Sequence, residues 1–383
     1  MAWDDLTGQA QAIETMRAAV ADDRLSHAWL ITGPPGSGRS ILAYAFAAAL
    51  IARPGDEEAT EAQVRARTHP DLGVLSTERV TITIDEVRQL VASSQYSPSV
   101  GRYRVMVIED ADRMTERTSN VLLKALEEPP PRTVWILCAP SEADLIPTVR
   151  SRVRSVRLRV PGVDEVAELI SRRDGVSLPE ATRAAREAQS HIGMAHRLAT
   201  DEQARRRRSR TLELALGIRS VSGAVLAAAE LVGVATEDAR AYTEQQDAEE
   251  RDHALRSLGV EPGAAIPPGL RGQIKTLEED QKRRATRSLR DGIDRILVDL
   301  MSLYRDILLL QLGVETEPVN VAIFAELTAA ASLATPERTL ATLDAIATAR
   351  ERIEGNVAPA LALEAMLVSA IRDPRDAPRE AAR

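Results

Sequence analysis

Five short apolar stretches punctuate residues 1 to 160, and between them the apolar positions recur at helical spacing. Ala28 to Ile31, Leu72 to Leu75, Arg104 to Ile108 and Thr133 to Cys138 read as strands, and the last two are continuous apolar runs of the kind buried on both faces of a parallel sheet. Ser155 to Val160 reads as a fifth, alternating Val156, Leu158 and Val160 with Arg157 and Arg159. Helices are expected within residues 1–27, where Ile13, Met16 and Val20 share a face, and from Ser40 to about Ala52. Two more are expected: Thr83 to Ala92, with Thr83 as N-cap and Ile84, Val87 and Val91 on one stripe, and Thr115 to Glu128, stopped by Pro129-Pro130-Pro131. The polar, acidic stretch Arg53 to Thr68 reads as a loop or a short surface helix. Strands alternating with helices specify a parallel α/β sheet.

After Pro161-Gly162 the period changes to helical and stays so. Val163 to about Leu198 makes a small helical unit. The basic run Arg205 to Arg208 reads as a solvated helix face, and the acidic block and Pro262 to Gly269 mark residues 237–268 as a loop or mobile insertion. From about Leu270 to Leu312 the chain is helical, with a kink or break expected near Gly292. There Leu289, Ile293, Ile296, Leu300, Leu303, Ile307 and Leu310 step by fours and threes into one apolar seam. Thr335-Pro336 starts another helix, with proline at its first position. The expected division is an α/β core at 1–160, a helical lid at 161–204, a helical domain at 205–373 and a disordered tail at 374–383.

Composition narrows the function classes. Only 3% of the 383 residues are aromatic, which fits helix-on-helix packing, and the net charge of −8 argues against a main task of gripping nucleic acid. Cys138 is the only cysteine, so neither a disulfide framework nor a thiolate zinc site is expected. With no apolar run long enough to span a membrane and no signal-peptide pattern at Met1 to Asp5, the chain is expected to be cytoplasmic.

The candidate chemistry centres on Gly33-Pro34-Pro35-Gly36-Ser37-Gly38-Arg39-Ser40, between the first strand and the helix that follows. In a phosphate-binding loop, glycines turn backbone N–H groups inward and the helix N-terminus adds positive potential. The pattern G-x-x-x-x-G-K-[ST] is matched at Gly33, Gly38 and Ser40, with Gly36 between, but Arg39 stands where lysine belongs. An ammonium is a compact point charge, whereas a guanidinium is planar and bulkier, so the loop is expected to keep its shape and lose hydrolytic competence. The second half of such a site is an acidic pair at a strand end, here Glu109-Asp110.

Val107 to Met114, followed by Asn120 to Pro130, resembles the Walker B region and next helix of the bacterial AAA+ clamp-loader family of DNA polymerase III. Thr148-Val149-Arg150-Ser151-Arg152-Val153 is similar to that family's Ser-Arg-Cys motif, with Val153 replacing the cysteine, and Asn356 to Glu364 resembles its collar helices. The resemblance implies an α/β AAA+ core, a small helical lid and an all-α collar. Gamma/tau and delta subunits would be partners, with the sliding clamp and primer-template DNA met through the assembled complex. It also implies that Arg152 reaches across a subunit interface to a neighbour's ATP. Against the family's hydrolysing members, the acidic pair runs Glu109-Asp110 instead of Asp-Glu, and Pro140 takes the place of a threonine. Gly193 falls near the lid's sensor arginine, and the four-cysteine zinc module is missing. ATP and magnesium are therefore expected to bind weakly or not at all at Gly33, Gly36, Gly38, Arg39, Ser40, Glu109 and Asp110, and no metal is assigned.

Lys124, Glu127 and Glu128 read as surface charges on a helix, His27 as structural, and His191 and His196 as lacking metal-ligand partners. The leading expectation is a stator-like clamp-loader subunit that helps load the clamp on primed DNA. The alternatives are a catalytically active gamma/tau-like AAA+ ATPase and a DNA-binding regulator with a decayed ATPase core.

Overall fold

The computed structural model describes residues 3, 6–22, 25–77, 81–257, 271–355 and 357–371, with backbone alone given at 242–257, 271–280, 282–284 and 287. The chain divides into two units, Met1–Thr200 and Asp201–Arg383.

The first unit is built on β1 (Ala28–Thr32), β2 (Leu72–Leu75), β3 (Arg104–Ile108), β4 (Thr133–Ala139) and β5 (Arg154–Arg157), all parallel in the order β2-β3-β4-β1-β5. Around them lie α1 (Ala10–Ala21), α2 (Arg39–Ile51), α3 (Glu57–Arg65), α4 (Ile84–Ser94), α5 (Glu116–Glu127) and the short α6 (Pro147–Arg150). Successive strand residues point to opposite faces and divide the apolar runs between two cores. Trp29, Ile31, Val105, Val107, Ile136 and Cys138 pack with α1 and α2. Leu30, Met106, Ile108, Trp135 and Leu137 pack with α4, α5 and α6. Because every strand runs the same way, the loops leaving β1, β3 and β4 open on one edge of the sheet, where α/β sheets bind ligands.

Local signals act as read. Thr83 caps α4, its hydroxyl accepting from the Glu86 N–H while the Glu86 carboxylate accepts from the Thr83 N–H. His27 Nε2 lies 2.7 Å from the Leu126 carbonyl, a structural role. The polar stretch after α2 contains α3. The fifth strand is shorter than its alternation predicts. After the Leu158 N–H donates to Thr32 at 2.6 Å, the Gln9 side chain takes both backbone groups of Arg159, donating to its carbonyl at 2.8 Å and accepting from its N–H at 3.2 Å. A side chain thus replaces the partner strand. At this sheet edge Arg154 and Arg157 face outward, Arg154 lying 5.0 Å from the Trp29 ring centre.

Three helices complete the unit: α7 (Val163–Asp174), α8 (Leu178–Glu187) and α9 (Ile192–Thr200). They bury Val166, Ile170, Ala181, Ala184, Ala185, Ala195 and Leu198. Ser177 caps α8, and Gly175 ends α7 in a left-handed conformation.

The second unit contains α10 (Glu202–Leu216), α11 (Val221–Ser257), α12 (Arg271–Gln311), α13 (Phe324–Ala331), α14 (Pro336–Glu354) and α15 (Pro359–Ser369). As the seam predicts, Ile293, Ile296, Leu300, Leu303 and Ile307 of α12 are buried, with Leu289 and Leu310 packed at the margin. Three expectations need correction. Residues 237–257, read as part of a loop or mobile insertion, continue α11, because residues 234–257 contain neither proline nor glycine and a polar composition alone does not break a helix. Residues 258–268 of that stretch lie outside the described residues, as do Asn356 and the tail at 374–383. Gly292 does not split α12, which runs unbroken through it. A Cβ there would approach the Ala235 carbonyl at 3.2 Å and its Cβ at 3.4 Å, so the glycine serves close approach of α11 and α12. The basic run is only partly solvated: Arg207 pairs with Asp201 and Asp238 at 3.3 and 3.0 Å, and Arg208 with Asp299 at 3.0 Å and Asn320 Oδ1 at 2.6 Å. Among the described residues no helix is long and apolar enough to cross a membrane.

Candidate functional site

The loop 33–40 leaves the carboxyl end of β1 and winds into α2, as its sequence predicts. Gly36 and Gly38 have φ of 78° and 94°, values that favour glycine. A Cβ at Gly33 would lie 2.6 Å from Ser37 Oγ, and one at Gly36 would run into the His191 imidazole. His191 directly precedes α9, and its Nδ1 accepts from the Met194 N–H in the first turn of that helix at 3.2 Å. Gly193, the position expected near a sensor arginine, is the second residue of α9 and brings no cation. Pro140 directly follows β4, and its carbonyl accepts from the Gly33 N–H at 3.2 Å.

Arg39 does not extend from the loop. Its guanidinium turns back and donates to the Gly33 carbonyl. Ser40 lies half-buried in the first turn of α2, one turn before Tyr44. Glu109 leaves the carboxyl end of β3, and its Oε1 accepts from the Tyr44 hydroxyl and pairs with Arg67 at 2.7 Å. Burial, reinforced by the hydrogen bond to Glu109, pushes the Tyr44 hydroxyl far above its ordinary pKa, so it remains a donor. Asp110 precedes a single 3-10 turn, 3.9 Å from Arg113. Asp112 in that turn is held above the ordinary carboxylate range by burial, with Asp110 nearby adding to it. Burial pushes the Cys138 thiol up to about 12, which removes it as a nucleophile.

The structure places the loop, Glu109 and Asp110 on one edge of the sheet and joins them to Tyr44 and Arg67. Tyr44 carried a readable signal, since it falls four residues after Ser40 on one helix face. Arg67 carried none, because its approach depends on how α3 ends. A magnesium nucleotide does not fit these residues as they stand. The loop's cation is bound to the loop itself, the strand-end carboxylate is engaged by a phenol and a guanidinium, and the residue after β4 has no hydroxyl. The Ser37 Oγ is buried without a hydrogen-bond partner. Among the described residues no group of three or more His, Cys, Asp or Glu is arranged to hold a metal ion. His196 instead pairs with Asp174 at 2.8 Å.

Arg152 lies elsewhere, between α6 and β5. Its Nε donates to Glu127 Oε1 at 2.6 Å and its Nη1 to the Thr148 carbonyl at 2.7 Å and Ser151 Oγ at 3.1 Å. Glu127, read as an unassigned surface charge, is the carboxylate that fixes it. Lys124 and Glu128 are exposed on the same helix or at its end.

Residues 8–161 match a family model described as DNA polymerase III, delta subunit. The chain is 34% identical over 179 residues to DNA polymerase III subunit delta' of Pseudomonas aeruginosa, covering 44% of this chain and 50% of that protein. It is 28% identical over 170 residues to DNA polymerase III subunit tau/gamma of Haemophilus influenzae, covering 43% of this chain and 25% of that protein. The match therefore spans half of the first relative and a quarter of the second. Among solved structures, a gamma subunit-related protein of DNA polymerase III from Thermotoga maritima aligns over 94% of this chain and 98% of its own, at 17% identity and a TM-score of 0.44.

Proposed function

We propose that this chain, whose residues 8–161 match the family described as DNA polymerase III, delta subunit, is a delta-prime-type, non-hydrolysing subunit of the clamp loader. It helps place a sliding clamp on primer-template DNA in the cytoplasm, together with gamma/tau and delta subunits. Residues 161–204 serve as its lid and 205–373 as the collar through which it assembles. Its own cleft runs no reaction, and Arg152 is offered to the ATP of the adjacent subunit.

The observation that carries this reading is the contrast between the two cations. Arg39 is bound to the Gly33 carbonyl of its own loop. Arg152 stands outside the cleft, with its guanidinium plane set by Glu127 and Thr148. A transferring phosphoryl group spreads charge over its equatorial oxygens, and a guanidinium fork already oriented before assembly meets that charge with little reorganisation. The carboxylate of Glu127 holds the fork in the free subunit and is exchanged for phosphate oxygens at the interface.

The test is ATP turnover by a loader reconstituted with gamma/tau and delta subunits. Arg152→Ala is expected to slow the site it serves by about a hundredfold or more, with Arg152→Lys recovering only part of the rate. Unchanged turnover removes Arg152 from this role. Rapid ATP hydrolysis by the purified chain alone favours the gamma/tau-like ATPase instead.

A further inference from the structure

Arg67 occupies an unusual place for a charged residue. Helix α3 ends in a Schellman turn, in which the Arg67 N–H donates to the Val64 carbonyl at 3.0 Å and the Thr68 N–H to the Gln63 carbonyl at 2.9 Å. The residue that makes the first of these bonds must take a left-handed backbone, and Arg67 adopts φ of 58° where glycine is ordinarily found. An arginine there carries a steric cost that the turn does not need. Its side chain shows what offsets that cost. One Nη is 2.7 Å from Glu109 Oε1, the guanidinium carbon lies 5.3 Å from the Tyr44 ring centre, and the other Nη donates to Ser76 Oγ at 3.4 Å.

These contacts converge on the strand-end carboxylate that a phosphate-loop protein uses toward its metal ion, and Tyr44 reaches that carboxylate from one turn below Ser40. We propose that Arg67 is a built-in counter-cation, taking the place beside Glu109 that a nucleotide's divalent ion would occupy and closing the cleft to magnesium nucleotides independently of Arg39. The inference rests on the non-hydrolysing reading above and adds its physical cause. Two arginines act at two ends of the cleft, Arg39 at the phosphate loop and Arg67 at the acidic strand end. Repairing the loop alone therefore leaves the second closure intact. Tyr44 belongs to the same closure, stacking on one cation and donating to the carboxylate between them.

The test uses the full chain and a fluorescent ATP analogue, titrated with magnesium and with EDTA, on the unaltered protein, Arg39→Lys, Arg67→Gly and the double variant. Arg39→Lys alone is expected to leave affinity within about threefold of the unaltered chain, whereas the double variant gains about tenfold or more, and only with magnesium present. Glycine suits the left-handed position, so Arg67→Gly is expected to stay folded, and Arg67→Ala serves as a second variant. The inference is overturned if Arg39→Lys alone binds as tightly as the double variant, if the double variant gains nothing, or if its gain is indifferent to magnesium. Failure of the subunit reading shows separately, as ATP turnover by the unaltered chain.

Discussion

The cleft at the carboxyl ends of β1 and β3 and the corner between α6 and β5 each hold an arginine near a carboxylate, yet they differ in what surrounds the pair. In the cleft the carboxylate is the buried member: Glu109 is largely buried and shared between Tyr44 and a half-exposed Arg67. At the corner the carboxylate itself is half-exposed, and Glu127 holds Arg152 from the surface. A buried carboxylate with several donors is costly to disturb, while an exposed pair exchanges its partner for water or another anion at little cost. The first arrangement suits permanent closure and the second suits handing a cation to another molecule.

The comparison is best calibrated by a third carboxylate, Asp71, which lies just before β2 and is fully buried. It accepts from the N–H groups of Ser99, Val100 and Gly101 at 2.6, 2.8 and 2.7 Å and from the Ser99 hydroxyl at 2.9 Å, with Arg104 at 3.5 Å. Asp71→Ala is expected to cost about 3–5 kcal/mol in a denaturant melt, because it strands those donors. Burial alone would raise this carboxyl, but the four hydrogen bonds outweigh it and hold the pKa below the usual value. Its folded pKa being depressed, the stability it contributes is complete above the unfolded carboxylate's pKa and is lost as pH falls through the folded one. Acid melts of the unaltered chain and Asp71→Asn should therefore converge at low pH. Parallel curves down to full protonation would contradict this.

Glu109→Ala comes next, with an expected loss of about 2 kcal/mol from two charge-assisted bonds. A loss no larger than that of Arg152→Ala would erase the distinction between cleft and corner. Asp112→Asn should act in the opposite direction, stabilising the chain slightly at neutral pH. Its folded pKa is raised, so the ionised form penalises folding once pH exceeds the unfolded value, and the penalty is complete above the folded value. The gain should fade below the unfolded pKa, and a gain that persists there points to packing instead. The smallest effect belongs to Arg152→Ala in the isolated chain, expected to shift stability by less than about 1 kcal/mol. A larger loss would make Arg152 a structural arginine.

Much of this architecture was legible in the sequence where one periodicity dominated. The buried runs of β3 and β4, the Thr83 cap and the α12 seam all stand where their patterns put them. Misreadings arose where composition was used in place of a conformational argument. Polarity at 237–257 suggested a loop although no residue there breaks a helix, and Gly292 suggested a break although the helix is continuous and the missing Cβ serves the neighbouring helix. At the site, the loop and the acidic pair follow from local spacing. The Arg67 contact does not, because it joins a residue after α3 to one after β3 through a turn whose left-handed residue is not the glycine that would have announced it.

The outer margin of the sheet has a final implication. A parallel sheet that stops at an unpaired strand offers its spare N–H and C=O groups to any extended chain that drifts alongside. On β5 that invitation is guarded by outward arginines, one of them lying over an indole. Two copies meeting margin to margin would bring like charges together, so crowding at high concentration should not stitch the molecules into a shared sheet along this side.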